Sequence, residues 1–377
     1  RIRLYERLNR IDLAEKALSE AGDLGFIGDE WGWLLVQGNL ARRRGDDEIA
    51  ESLYHQAERS APPEGKSAVT SALARLADSR GLFQSAHQYI QITREYRQIE
   101  AGECRGGYPV PSDHAEIPEL RIEDGVKNGP IFLAGMPRSG TSLLSRLLEQ
   151  KYCICQSEEY DFASQLVNRF LRPGGKLLSP AKIANQPKSI RNKALNAYYE
   201  SQRQSVGYEK GGADILLDKN PSLSLLSPWL LALIPGLRIL WIDRPLPDVW
   251  LSSVMQDVPI NGATCWWQDP SHYLNWARPM LALRDSLEEK LGSNRFHRLS
   301  YESLVTSPDL AIQSIAEKFQ LGTRDSLNTD LAPARSPTYV EVSKPINSER
   351  QNRWLKYREF YDDDEQKLID SWYEPSS

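Results

Sequence analysis

Residues 135–142, with the sequence GMPRSGTS, have the composition of a turn that binds an anion. An apolar run at 131–134 precedes them and a leucine-rich stretch follows from Thr141, so the pattern predicts a strand, a glycine-rich turn and a helix. Backbone N–H groups converge in such a turn, and the positive end of the helix dipole adds to their attraction for a phosphate. The predicted ligands are Pro137, Arg138, Ser139, Gly140, Thr141 and Ser142.

This loop lacks one residue that a triphosphate needs. Gly135 and Gly140 have the spacing of the nucleoside triphosphatase loop, but Thr141 stands where that pattern has a lysine. Without the lysine, the clamp on the β- and γ-phosphates is missing, and Arg138 offers a cation inside the loop instead. The loop therefore suits a phosphosulfate or a single phosphate better than a triphosphate with magnesium.

A second segment, residues 243–253, has the sequence DRPLPDVWLSS. Arg244 follows a predicted strand, and Ser252 lies eight residues later on a helix that Pro247 and Asp248 are suited to begin. A guanidinium and a hydroxyl at the end of a strand can hold one phosphate between them. Two anion sites in one α/β domain predict a bisphosphorylated nucleotide as the ligand.

Together the two motifs resemble those of the sulfotransferases that use 3′-phosphoadenosine 5′-phosphosulfate (PAPS), over roughly residues 130–355. The resemblance implies that the loop binds the 5′-phosphosulfate and that Arg244 and Ser252 bind the 3′-phosphate. It also implies that the nucleotide product is adenosine 3′,5′-bisphosphate and that no metal is required.

Further residues are similar to the tyrosylprotein sulfotransferase branch and to bacterial proteins that join tetratricopeptide repeats to a sulfotransferase domain. The string DKNP at 218–221 is similar to that branch's Asn-Lys-Asp-Pro with the two polar residues exchanged. By the same resemblance, Tyr301 lies near the adenine and Lys344 belongs to a C-terminal lid over the nucleotide. Asp161 stands where the animal enzymes have an arginine that helps to fix the acceptor peptide. The hydroxyl-bearing acceptor therefore stays open between a peptide tyrosine, a saccharide and a small molecule.

Sulfuryl transfer needs a cation at the leaving phosphate and a base for the acceptor hydroxyl. Lys219 and Arg138 are the candidate cations. Glu159 is the candidate base, with Glu158 as the alternative, because the resemblance places a pair of glutamates here, and Glu159 lies 22 residues after Pro137. None of the five histidines falls between the loop and Lys219.

Aromatic residues are concentrated just after the second motif. Two interpretations fit them: a wall for a phenolic or sugar acceptor, or core packing beneath a long loop. The residues are Trp266, Trp267, Tyr273 and Trp276.

Helical stretches separate the predicted strands, so the elements that carry these motifs predict an α/β fold. We expect a P-loop-like parallel sheet with helices on both faces. The strands are predicted at 131–134, 215–217, 239–242 and 295–299, and a short segment at 153–157 is a candidate strand beside the phosphate loop.

The first hundred residues predict an all-α region of tetratricopeptide-like helical repeats. Leu13-Ala14, Ile49-Ala50 and Ser85-Ala86 recur at a period of 36, and small residues such as Gly38 would let two helices touch while Tyr54 fills the gap. A plain helical bundle is the alternative. We divide the chain into helical repeats at 1–100, a linker at 101–129 and a sulfotransferase domain at 130–377. We expect the repeats to bind a protein partner and to be dispensable for nucleotide binding.

The composition narrows the choice of partners and compartment. A formal net charge of -5 argues against a nucleic-acid binder, and no apolar run is long enough to span a membrane. Four cysteines are few for a disulfide scaffold of this size, so we expect reduced thiols and a cytoplasmic protein. The first residue is Arg1, which also fits a piece of a longer protein.

Two other functions compete with sulfotransfer. A P-loop kinase would use the same strand–turn–helix, but the missing loop lysine argues against it. A non-catalytic repeat scaffold with a relic nucleotide domain is the second alternative. The joint presence of Glu159, Lys219, Arg244 and Ser252 weakens it.

Overall fold

The computed structural model describes most of the chain. Three residues singled out from the sequence lie outside the described residues: Lys344, Glu158 and Asp161. So does nearly all of the predicted linker. The described ranges are 2–7, 10–23, 30–102, 129–157, 159–160, 162, 165–166, 178–207, 215–234, 236–261, 264–324, 346 and 348–372.

The N-terminal region is helical. Gly38 lies against the ring of Tyr54, so closely that a Cβ at Gly38 would come within 2.5 Å of the ring. This is the contact between a small residue and an aromatic one that the repeat pattern predicts, although assignment to the tetratricopeptide class stays a prediction. The helices are α1 (Ile2–Arg7), α2 (Ile11–Asp23), α3 (Glu30–Arg44), α4 (Asp47–Ser60), α5 (Pro63–Ser79) and α6 (Phe83–Ala101).

A parallel sheet forms the centre of the second region, which confirms the predicted mixed α/β fold. In the described part of the chain the strand order is β2-β3-β1-β4-β5, and every pair is parallel. Because the strands are parallel, their carboxyl ends meet at one edge. The strands are β1 (Ile131–Gly135), β2 (Ile154–Ser157), β3 (Ile215–Lys219), β4 (Arg238–Asp243) and β5 (Phe296–Ser300).

One expectation about the sheet is wrong. The candidate strand at 153–157 is predicted to lie beside the phosphate loop, but β3 lies between β2 and β1. Strand β3 also runs to Lys219, two residues beyond the predicted end. Its last residue pairs with Leu133 of β1, which brings Lys219 to the strand that leads into the loop.

Helices cover both faces of the sheet. Along β1, Ile131 and Leu133 pack in one apolar cluster, whereas Phe132 and Ala134 pack in the other, as the alternation of side chains along a strand requires. The helices of this region are α7 (Thr141–Lys151), α8 (Pro180–Ala184), α9 (Lys188–Val206), α10 (Ser227–Leu233), α11 (Leu246–Val254), α12 (Pro270–Lys290), α13 (Tyr301–Thr306), α14 (Pro308–Phe319) and α15 (Asp363–Asp370).

Buried polar contacts join the two regions. On α6, Arg94 Nε donates to the carbonyl of Gln268 at 2.6 Å. On α5, Ser71 Oγ and Arg75 Nη1 both donate to the carbonyl of Met255, at 2.9 and 3.0 Å. Among the described helices, none combines the length and the apolar character that crossing a membrane requires.

Candidate active site

The loop between β1 and α7 depends on backbone conformations that favour glycine. The φ angles of Gly135 and Gly140 are 145° and 107°, and Arg138 also has a positive φ of 76°. A Cβ on Gly140 would lie 2.7 Å from the ring of Tyr301, and a Cβ on Gly135 would lie 2.7 Å from the carbonyl oxygen of Ile242. Glycine is therefore required at both positions by conformation and by space.

Buried hydroxyls lie at the end of this loop and at the start of α7. Ser139, Thr141 and Ser142 are all buried. Ser139 Oγ has no hydrogen-bond partner in the described part of the structure. A buried hydroxyl without a partner is unfavourable, so its position beside a helix N-terminus suits a ligand that supplies acceptor oxygens.

The second predicted motif meets the first directly. Arg138 Nε donates to Ser252 Oγ at 3.4 Å, and Arg244 Nη1 donates to the carbonyl of Arg138 at 3.2 Å. The guanidinium of Arg244 also lies 4.5 Å from the centre of the Tyr301 ring. The structure thus brings Arg138, Arg244, Ser252 and Tyr301 together at the carboxyl end of the sheet.

Neighbouring groups hold Arg244 in place. Its Nη2 donates to the carbonyl of Arg350 at 2.7 Å and lies 3.9 Å from Asp248 Oδ2. Burial raises the pKa of Asp248, while Arg244 and the backbone N–H of Trp354 act in the opposite direction. Arg244 Nε is buried and has no partner among the residues described, so the guanidinium keeps a donor for a ligand.

Lys219 lies between the phosphate loop and the candidate base. Its side chain is 1% exposed, and its Nζ donates to Ser142 Oγ at 3.4 Å and lies 4.0 Å from Glu159 Oε1. Glu159 follows β2 and is much more open, with 39% of its side chain exposed. A cation and a carboxylate so placed are suited to stabilising a leaving group and to accepting a proton.

Asp218 lies next to Lys219 on β3, but its side chain points the other way. Tyr198 Oη donates to one carboxylate oxygen at 2.7 Å, and Ser157 Oγ donates to the other at 3.0 Å. Complete burial raises the pKa of Asp218 to about 6, although both hydrogen bonds oppose the shift. This network anchors the strand end that carries Lys219.

A cavity of about 660 Å³ collects most of the predicted residues. Ser139 and Lys219 do not belong to this lining, but Lys219 contacts it through its hydrogen bond to Ser142 Oγ. No histidine of the described residues belongs to its lining, and burial lowers the pKa of both His87 and His297 to about 4. The predicted site residues that line it are Pro137, Arg138, Gly140, Thr141, Ser142, Glu159, Arg244, Ser252 and Tyr301.

The lining also includes residues that are not among the predicted site residues. Asp78 and Phe83 come from the helical region, and Arg350, Arg353 and Lys356 come from the C-terminal segment. The basic string RQNRWLK at 350–356 was a usable signal, since it follows the lid-like motif. Nothing in the sequence around the α5–α6 turn indicates a site.

The aromatic residues divide between the two interpretations. Trp267 lines the cavity, so it is part of the wall. Tyr273 and Trp276 are buried, and their rings pack on each other with centres 5.5 Å apart, so they belong to the core. The ring of Trp266 lies edge-on to His272, with centres 6.0 Å apart.

Comparison with known proteins places the α/β region in context. A family model described as the sulfotransferase family matches residues 130–325. An uncharacterised protein of Aquifex aeolicus (strain VF5) is 23% identical over 243 residues, which cover 61% of this chain and 31% of that protein. This chain therefore spans about a third of the length of that relative.

Two solved structures are similar at low sequence identity. The sulfotransferase domain of the Synechococcus PCC 7002 olefin synthase is 18% identical, with a TM-score of 0.41, and the match covers 68% of this chain and 100% of that domain. A sulfotransferase of Mycobacterium tuberculosis H37Rv is 14% identical, with a TM-score of 0.36 and coverage of 85% and 97%.

Proposed function

Because this chain belongs to the sulfotransferase family, we propose that it transfers a sulfuryl group from PAPS to the hydroxyl of an acceptor. The observation that carries this proposal is the meeting of two anion-binding segments in one cavity, through the hydrogen bond from Arg138 to Ser252. The absence of a lysine after Gly140 separates this loop from that of an ATP-dependent kinase.

The donor groups of the site fit the two anionic ends of PAPS. In this proposal, the loop backbone and the unpartnered Ser139 Oγ hold the 5′-phosphosulfate. Arg244, with a spare buried Nε, and Ser252 hold the 3′-phosphate, and the Tyr301 ring lies on the adenine side. Lys344, which lies outside the described residues, would close the lid.

When bound, PAPS supplies the sulfuryl group and departs as adenosine 3′,5′-bisphosphate. Lys219 stabilises the negative charge that grows on the bridging oxygen of the leaving phosphate, with Arg138 as the second cation. A preorganised donor of this kind contributes about 10² to 10³ in rate, because a buried charge does not have to reorganise. No residue in this scheme needs a metal.

Glu159 is the proposed base. Its carboxylate takes the proton of the acceptor hydroxyl while that oxygen bonds to sulfur and the bond from sulfur to the leaving oxygen breaks. Its exposure suits this role, since the acceptor must approach it from the open side of the cavity. Lys219 Nζ lies 4.0 Å from this carboxylate, so the proposed cation and the proposed base are neighbours in the site.

A phenolic hydroxyl, including a protein tyrosine, is the acceptor we propose to test first. Phe83 and Trp267 in the lining offer ring surfaces for such a group. Saccharides and small alcohols are the other acceptors to compare. We further propose that the helical region is a tetratricopeptide-like array that binds a protein partner.

Ligand binding tests the proposal most directly. We expect the chain to bind adenosine 3′,5′-bisphosphate at least about tenfold more tightly than ATP with magnesium. The reason is that each of the two anion sites of the protein suits one of the two phosphates of the bisphosphate. Isothermal titration calorimetry with both ligands measures this. Equal affinities, or magnesium-dependent ATP binding, would favour a kinase, and no binding of either nucleotide would favour the scaffold.

Release of adenosine 3′,5′-bisphosphate from PAPS with a tyrosine peptide, a saccharide and 4-nitrophenol then identifies the acceptor class.

A further inference from the structure

Asp78, in the last turn of α5, holds the C-terminal segment 348–361. Its carboxylate accepts hydrogen bonds from Arg353 Nε at 2.8 Å and from Tyr357 Oη at 2.5 Å, and it forms an ion pair with Arg353 Nη2. The Asp78 side chain is only 12% exposed and that of Arg353 only 11%. A carboxylate of the helical region therefore neutralises a half-buried cation that lies at the opposite end of the chain.

A second contact joins α6 to the same segment. Phe83, the first residue of α6, packs edge-on against Tyr357 with ring centres 5.4 Å apart. Lys356 Nζ lies 5.2 Å from the centre of the Phe83 ring. The α5–α6 turn and the C-terminal segment thus form one continuous part of the cavity lining.

From this segment, contacts lead to Arg244. The backbone N–H of Trp354, next to Arg353, donates to Asp248 Oδ1 at 2.7 Å, and Asp248 Oδ2 lies 3.9 Å from Arg244. Arg244 Nη2 in turn donates to the carbonyl of Arg350 at 2.7 Å. The C-terminal segment therefore contacts Arg244 both directly and through Asp248.

We propose that Asp78 is a positioning residue of the donor site, and that the helical region fixes the side of the cavity that takes the 3′-phosphate. Removal of one partner from a half-buried ion pair leaves the other charge uncompensated, so Arg353 would turn toward solvent and its backbone would shift. Trp354 would then no longer hold Asp248, and Arg244 would lose its orientation. The inference rests on the proposed donor site, and it replaces our expectation that residues 1–100 are dispensable for nucleotide binding.

Asp78→Asn tests this, with adenosine 3′,5′-bisphosphate and AMP as the probes and calorimetry on the full chain. AMP lacks the 3′-phosphate, so it does not use Arg244. We expect the variant to raise the Kd for the bisphosphate about tenfold and to leave the Kd for AMP unchanged, a coupling of ordinary size for contacting groups. Asp47→Asn is the matched control. Asp47 is the first residue of α4, its carboxylate lies 3.7 Å from Arg80 Nε, and it does not line the cavity.

The outcomes separate the inference from the proposed function. If the unmodified chain binds AMP and the bisphosphate equally well, the proposed donor site fails. If it discriminates between them, and Asp78→Asn either leaves both Kd values unchanged or raises both equally, the positioning role is overturned. If Asp78→Asn does not fold, Tyr357→Phe removes one of the donors to the same carboxylate. We expect it to raise only the bisphosphate Kd, about threefold, and an unchanged value overturns the role.

Discussion

The two walls of the cavity differ in how firmly the protein holds them. We call Ser142, Arg244 and Ser252 the inner wall, and Glu159, Phe83 and Lys356 the outer wall. The inner wall is buried and Arg244 has several partners, whereas Glu159 is 39% exposed and Lys356 is exposed. Buried groups in fixed positions suit a ligand that is the same in every reaction, and open groups suit the entry of an acceptor. Under the proposed function, the preorganised inner wall would recognise the donor, and the open outer wall would select the acceptor.

The walls also differ in origin. The inner wall follows the carboxyl ends of β1 and β4, which are adjacent parallel strands. The outer wall is assembled from a residue after β2, from the α5–α6 turn and from the C-terminal segment. Neighbouring strand ends converge by topology alone, whereas the outer wall requires parts of the chain that are more than 270 residues apart to meet, as Asp78 and Arg353 do.

Arg244→Ala should have the largest effect on the inner wall. We expect it to weaken binding of adenosine 3′,5′-bisphosphate by roughly 2 to 5 kcal/mol, because a buried charge-assisted contact is lost and Asp248 is left without its cation. Calorimetry measures the Kd, and the rate at saturating PAPS should fall much less. Lys344→Ala should act in the same direction but less strongly.

Arg298→Ala is the matched control for this experiment. Arg298 lies in the middle of β5 and pairs with Asp243 and Glu288, but it does not line the cavity. Its loss should leave the Kd unchanged. If Arg244→Ala behaves like Arg298→Ala, the 3′-phosphate does not bind at this wall.

Glu159→Gln should show the opposite pattern on the outer wall. The amide keeps the shape of the side chain but cannot take a proton, so turnover with 4-nitrophenol and PAPS should fall by about 10², while the Kd for the bisphosphate stays nearly constant. Steady-state release of the bisphosphate measures the rate. Near-normal turnover in Glu159→Gln, together with its loss in Glu158→Gln, would assign the base to the preceding residue.

The difference between the walls explains what the sequence could predict. The glycine spacing at 135 and 140 is a local pattern with a local cause, namely positive φ angles and close packing, so the loop was predictable from a few letters. Arg244 and Ser252 were predictable for the same reason, since one strand end and one helix carry both. The strands were also predictable, with ends displaced by one or two residues.

The role of Asp78 was not predictable in this way. An aspartate near the end of an amphipathic helix is ordinarily a solvated surface residue, and only tertiary contact with Arg353 and Tyr357 gives it a different environment. The prediction of the position of β2 was wrong for a related reason. Sequence order suggests adjacency to β1, but β3 pairs with both strands and separates them.

The last prediction concerns Asp218 and the pH dependence of the free energy of unfolding, where we expect the smallest effect. Burial raises the pKa of this carboxyl from its ordinary value of 3.8 to about 6 in the folded protein. Between these two pH values the folded chain binds more protons than the unfolded chain, so the free energy of unfolding falls as the pH rises from about 4 to 6. Burial of the Asp218 carboxylate therefore lowers the stability of the folded protein at neutral pH.

Asp218→Asn removes this titration. The free energy of unfolding of the variant minus that of the wild type should therefore increase by about 2 kcal/mol between pH 4.5 and pH 7, as measured by urea denaturation. Tyr198→Phe offers a second variant, because Tyr198 donates to Asp218 and opposes the rise in its pKa. Without that hydrogen bond the pH dependence should become steeper than in the wild type. A difference between Asp218→Asn and the wild type that stays constant with pH would mean that the carboxylate is not desolvated.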